Sequence, residues 1–376
     1  MAHDLVLKGG RVIDPASGLN RIADVAFDGD RLAAIDEALE GREVRDVSGA
    51  IVTPGLIDLH THVYWGGTSL SVEADSYARR CAATTLVDAG SAGPGNFAGF
   101  RAHVIERAEV RILSYIHISF AGIFAFSPTV MVGESQDMRL MAGREAAEVA
   151  ALNPDHIVGV KVRVGRHTSG ANGIEPLRLA LDVAEAAGLP LMAHIDEPDP
   201  HYEEVAGLLR RGDVLTHCFR PVPNAPVDAA GNLKAGIVEA RERGVIFDIA
   251  HGMGAFSWPV ARAAMAAGFP PDTISSDVHV LCVDGPAWDL LRTMNKLLEL
   301  GMPLTEVIRA ATETPARAIR QEALGRLAPG GPGDASVIRL ADEDVVLEDV
   351  RGELLTFGQR LLPKGRVLRG RYEEIA

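Results

Sequence analysis

Cysteine is scarce. The chain of 376 residues holds three, Cys81, Cys218 and Cys282, and no two are close in sequence. That excludes a disulfide framework and fits reduced thiols in a cytoplasmic protein. Basic excess is also absent: 37 Lys and Arg stand against 51 Asp and Glu, a formal net charge of −14. Such a chain is a poor partner for nucleic acid or for an anionic membrane surface. No stretch stays apolar for the ~20 residues that a membrane span needs. The first residues, Met1-Ala2-His3-Asp4-Leu5, have neither the basic start nor the apolar run of a secretion signal. A glycine-rich phosphate loop after the first barrel-type strand is missing too. What is present is a sequence 47% hydrophobic, ample for a large core and for about two domains by length.

The stretch around which the rest is organised is Asp58-Leu59-His60-Thr61-His62. It follows an apolar run over residues 51–57 that reads as one strand. Side chains two apart on a strand share a face, so His60 and His62 project together and can grip one divalent metal. From residue 54 to about 320, short apolar runs alternate with Ala- and Leu-rich helical segments eight times. The candidate strands end at His60/His62, Asp88, His117, Lys161/Arg163, His194, His217, His251 and Asp277. Eight β/α units predict a (β/α)8 barrel, whose active site lies at the C-terminal strand ends where these ionisable residues fall. Residues 1–53 and 321–376 read as short strands joined by Gly, Pro and Asp-Gly turns, and predict one small β-sandwich domain built from both chain ends.

Several of these residues admit more than one reading. Lys161, inside the run Val158-Gly159-Val160-Lys161-Val162, is either salt-bridged or a desolvated, nucleophilic amine. His194 and His217 close successive strands and pair as ligands of a second metal. Asp277 is either a ligand and proton acceptor or a helix N-cap.

The order His-x-His on the first strand, Lys on the fourth, His on the fifth and sixth, and Asp on the eighth resembles the amidohydrolase superfamily. The wording Val52-Thr53-Pro54-Gly55-Leu56-Ile57-Asp58-Leu59-His60-Thr61-His62 is similar to that superfamily's entry to its first strand. Residues 63–68, 84–93 and 248–252 resemble its deacetylase branch, close to dihydroorotases and including enzymes that act on acetylated carboxylic acids such as acetyl-(R)-mandelate. The resemblance implies two divalent ions: His60 and His62 with Asp277 on one, His194 and His217 on the other, and Lys161, carboxylated by carbon dioxide or bicarbonate, between them. Zinc suits so imidazole-rich a site, with manganese, iron and cobalt open on ligand type alone. The implied reaction is hydrolysis by a metal-bridging hydroxide, with Asp277 as general base and then acid.

For the substrate, Arg163 faces the same way as Lys161 and is either a carboxylate clamp or a partner of a rim carboxylate. Tyr64 is a pocket wall or rim packing. His251 and His279 are hydrogen-bond donors to substrate or supports for ligands. The loop over residues 121–136 has the length of a lid, or packs as a plain loop. These readings predict a hydrolase for an ester or amide, an acetyl group foremost, of a small carboxylic acid. A dihydroorotase- or hydantoinase-type cyclic amidase is the rival within that class, and a non-catalytic scaffold the rival outside it. Homo-oligomer formation is open.

Overall fold

The computed structural model describes residues 2–375. The first strands are β1 (His3–Asp14), β2 (Leu19–Asp28), β3 (Arg31–Asp36), β4 (Gly41–Asp46) and β5 (Ile51–Pro54). They join strands from the far end of the chain, β13 (Ala335–Ala341), β16 (Arg360–Leu368) and β17 (Arg371–Glu374). Together they form one sheet in the order β17-β16-β13-β5-β1-β2-β3, with β4 on β1. The Asp-Gly signal is the β2–β3 hairpin, and the Gly-Gly break in the first strand is a register shift between Leu7 and Gly10. That shift lets β1 pair with β4 along its first half and with β5 along its second. Leu5, Leu7, Val25, Phe27, Val337 and Val367 are among the buried side chains of this sheet's own core.

The barrel strands are β6 (Leu56–Thr61), β7 (Ala83–Ala89), β8 (Arg111–His117), β9 (Ile157–Val164), β10 (Leu191–Ile195), β11 (Val214–Leu215) and β12 (Ile246–Phe247), paired in chain order. All pairs are parallel. The eighth position is a segment rather than a regular strand. Parallel bridges Asp248–Thr273 and Thr61–Val278 close the ring, and the Asp277 N–H donates to the His60 carbonyl at 2.8 Å. Ile57, Leu59, Val87, Leu113, Tyr115, Met192 and Val214 form one buried cluster. These residues of successive strands share one face, and the closing bridges make that face the inside of a barrel. Helices cover the outside, including Glu175–Ala186, Trp258–Ala266 and Leu290–Glu299. No helix among the described residues is long and apolar enough to cross a membrane.

Two expectations change. The single strand expected over 51–57 is two: β5 belongs to the end sheet and β6 to the barrel, with Gly55 between them. An additional hairpin, β14 (Val345–Glu348) with β15 (Leu354–Phe357), stands outside both sheets. The sheets are tied at the barrel foot by Ser336, whose hydroxyl donates to the Ala82 carbonyl at 2.6 Å and accepts from the Leu56 N–H at 2.9 Å.

Candidate metal centre

The barrel's apolar strand interiors carry their ionisable residues to the C-terminal mouth. A register shift between Asp58 and Thr61 marks the end of β6, where His60 and His62 converge on Asp277. Their Nε2 atoms lie 3.3 and 3.2 Å from Asp277 Oδ1. The three side chains form a group able to hold one metal ion. Across the mouth, His194 Nδ1 and His217 Nε2 face each other at 2.6 Å. The His217 Nδ1–H donates to the Ala250 carbonyl at 2.8 Å, which leaves Nε2 as the lone pair. Lys161 stands beside these groups, its Nζ 3.5 Å from His60 Nε2. Gly90 makes room for it: a Cβ there would lie 2.6 Å from Lys161 Cγ, and its φ of +88° is left-handed. His217 and Asp277 are themselves held at φ +68° and +49°. Such strain persists where surrounding structure over-determines a residue, as it does at functional sites.

Burial sets the protonation states. It holds His60, His194 and His217 well below the ordinary histidine range and His62 down to about 3. Four neutral imidazoles therefore present lone pairs. Burial lowers Lys161 to about 7 against the opposing pull of Asp277, and raises Asp277 to about 6. Lys161 has no salt bridge among the described residues, and its one hydrogen-bond partner there is His60. Asp277 points at the histidines, not at a helix terminus.

These residues fit divalent cations. Neutral imidazoles, a carboxylate and a lysine nitrogen converging at one buried mouth are a donor set of the kind that binds divalent ions. His60 Nδ1 and His194 Nε2 are buried without any hydrogen-bond partner. His62 and His217 are oriented from behind by Ser91 Oγ, at 2.9 Å from His62 Nδ1, and by Ala250. Asp248, buried and accepting from the hydroxyls of Thr273 and Ser275 at 2.7 Å each, lies 3.9 Å from His60 Nδ1.

The mouth is a cavity of about 110 Å³ lined by the four histidines, Asp277, His279, Phe126, Arg163 and Arg220. A larger surface groove of about 920 Å³ runs past Arg79, Glu109 and Tyr372 at the end sheet. It contains none of the ligand cluster, so volume does not choose the site. Arg163 lines the mouth as expected and also has a carboxylate partner: its Nε donates to Glu134 at 2.8 Å. The loop over 121–136 reaches the mouth through Phe126, which lines the cavity, and through Glu134, which lies behind Arg163. His279 accepts from the Leu281 N–H at Nδ1, so its proton is on Nε2.

Two expected substrate residues lie elsewhere. Tyr64 follows the end of β6, where alternation stops. Its ring packs on Phe100 with centroids 4.6 Å apart, and its hydroxyl donates to the Asn96 carbonyl. His251 points outward into the helical layer. Ile246 packs toward the barrel's interior cluster and Phe247 and Ile249 into the outer core; His251 continues the outer row, stacked on Phe256 and hydrogen-bonded to Lys296. Arg220 is a pocket residue that sequence reasoning missed. Its sole sequence signal is its place three residues after His217.

Comparison with known proteins agrees with this geometry. A deacetylase of Agrobacterium fabrum is 36% identical over 349 residues, covering 92% of this chain and 85% of the relative. A deacetylase of Enterococcus faecalis is 29% identical over 376 residues, covering 98% and 99%. The crystal structure of an adenine deaminase matches with a TM-score of 0.92 at 29% identity, over 99% of this chain and 100% of that one. That of a dihydroorotase matches with a TM-score of 0.91 at 33% identity, over 99% of each. The names differ in substrate and agree in architecture. The model of the amidohydrolase family matches residues 51–357, and the chain accordingly belongs to that family and is a hydrolytic enzyme with a (β/α)8 barrel.

Proposed function

We propose that this hydrolase removes an acyl group, an acetyl group foremost, from a small acylated carboxylic acid. The observation that carries the reading is the pair of guanidiniums, Arg163 and Arg220, lining the small cavity that also exposes the ligand cluster. Arg220 is a half-buried cation without a salt bridge among the described residues, its Nη1 donating to the Ile195 carbonyl. Burial lowers its pKa against the pull of Asp196. A cation so placed favours an anionic ligand, and guanidinium forks match carboxylates. Relatives named deacetylases support the acyl half of the reading.

His60, His62 and Asp277 would hold one divalent ion, His194 and His217 a second, with zinc the metal best suited to the imidazoles. Bound there, such ions supply a Lewis acid for the carbonyl and lower the pKa of water toward neutrality. Lys161 completes the set as a carbamate: its neutral amine attacks carbon dioxide, an N–C bond forms, and the nitrogen loses a proton. Asp277 takes the proton from the attacking water and returns it to the departing alkoxide or amine. His279, with its proton on Nε2, donates to the substrate's polar rim.

A hydrolysis screen of protein prepared with zinc and bicarbonate tests this. Turnover of N-acetyl amino acids or O-acetyl hydroxy acids, with none of dihydroorotate, is the expected result. Turnover of dihydroorotate alone would replace the reading with the cyclic-amidase one.

A further inference from the structure

The mouth contains a carboxylate that the hydrolytic chemistry does not use. Glu134 comes from the loop after β8, yet it is 8% exposed and reaches inward between two partners. Its Oε1 accepts from Arg163 Nε at 2.8 Å and from His117 at 3.1 Å. The direction of the second bond is fixed. His117 Nδ1 accepts the Ser119 N–H at 2.8 Å, so the neutral ring carries its proton on Nε2 and donates to Glu134. The backbone beside Glu134 is pinned as well. The Ser135 N–H donates to the Thr168 carbonyl at 3.2 Å, and the Asn172 amide donates to the Ser135 and Gln136 carbonyls at 2.9 Å each. On the cavity side, the guanidinium carbon of Arg163 lies 5.6 Å from the centre of the Phe126 ring, which meets His279 edge-on. Glu134 thus occupies only the Nε edge of Arg163, whose terminal nitrogens have no hydrogen-bond partner among the described residues.

We propose that Glu134 is a specificity-determining positioning residue: it anchors Arg163 at Nε, so that the terminal nitrogens stay aimed into the cavity as a fork for the substrate's carboxylate. The inference rests on the reading of the pocket as one for carboxylic acids. Charge alone argues the other way, since a carboxylate beside Arg163 partly cancels the field that attracts an anion. Anchoring and charge therefore have to be separated. Glu134→Gln and Glu134→Ala lose the same charge, but the glutamine oxygen can still accept both N–H groups. Glu134→Asp keeps the charge and withdraws the acceptor by one methylene.

The test is calorimetric binding of lactate and of lactamide to zinc-loaded protein, a pair that differs in the carboxylate alone. Wild-type protein should prefer lactate by about 10-fold or more, the scale of a charge-assisted hydrogen bond. The Ala variant should bind lactate about 10-fold more weakly than the Gln variant, and the Asp variant more weakly than wild type, with lactamide affinity equal within each pair. Equal lactate affinity within both pairs, losses shared by lactamide, or no lactate preference in the wild type would each overturn the proposal. Should the Ala variant not fold, the wild-type and Asp pair decides alone. Deacylation is read separately: a lactate preference that depends on Glu134, in an enzyme that hydrolyses no acylated acid, would sink the proposed reaction and leave the fork standing.

Discussion

At Asp277 the backbone, the clustered imidazoles and the proposed proton chemistry meet. Its Oδ1 faces two imidazoles within 3.3 Å, its φ is +49°, and a Cβ on neighbouring Gly252 would come within 2.3 Å of its Oδ2. Nothing larger than glycine leaves the carboxylate in place. Asp277→Asn keeps the shape and a ligand oxygen but removes the base. We expect kcat to fall by about 10²–10⁴-fold, the scale of general acid–base catalysis, with the far-ultraviolet circular dichroism unchanged. Near-normal kcat would remove Asp277 from the mechanism.

Lys296 makes a separate case, away from the ligands. It is buried, with donors to His251, the Pro286 carbonyl at 3.2 Å and the Glu348 carbonyl. Burial lowers it from 10.5 to about 7. Between those values the unfolded chain holds a proton that the folded chain does not, so stability from this group rises with pH across the window. Below pH 7 both states are protonated and the full cost of burial remains. The Tm of wild type minus that of Lys296→Met should therefore climb from pH 7 toward 10. A flat or falling difference would contradict it.

The residues of the cluster were legible because each ends an apolar run where an ionisable residue has no place in a plain core. Arg220, Glu134 and Asp248 were not, since their roles depend on which loop ends the closed ring brings together. His251 shows the converse: it ends an apolar run, yet it shares parity with outward-facing Phe247 and Ile249, so alternation carries it away from the mouth.

Among the elements, the eighth barrel position is the most informative. Residues 273–278 lack regular strand pairing and are held by side chains instead. Asp58 Oδ1 accepts the Ser276 N–H at 2.9 Å, and its Oδ2 accepts the Ser276 and Tyr77 hydroxyls at 2.6 Å each. This buried knot fixes the segment that carries Asp277 against β6. Tyr77→Phe leaves Asp58 one donor short in a site without water access, and should cost ~1–3 kcal/mol in urea unfolding. No measurable loss would mean that the knot does not hold the ring closed. Hydrophobic runs identified this element, as they did the seven regular strands. The β14–β15 hairpin escaped because its fixing groups are remote: buried Asp349 accepts from the Trp258 N–H at 3.1 Å, and the Trp258 indole donates to the Glu353 carbonyl at 3.2 Å. A contact across ninety residues of chain leaves no local pattern.

In the whole molecule, a strongly acidic chain concentrates its neutral imidazoles, a neutral-leaning lysine and two guanidiniums at one end of the barrel. Among the described residues, the end sheet contributes nothing to that cluster. It braces the opposite end, where fully buried Arg366 donates to the Ala83 carbonyl at 3.0 Å and pairs with Glu373 at 2.7 Å. The arrangement is costly without cations, because four desolvated imidazoles and an unpaired lysine then crowd one mouth. Metal content is therefore the measurement that meets the account most directly. Protein prepared with zinc and bicarbonate, desalted and analysed by elemental mass spectrometry, should hold about two metal ions per chain. A folded chain that holds none would contradict the assignment of His60, His62, Lys161, His194, His217 and Asp277 as a metal centre.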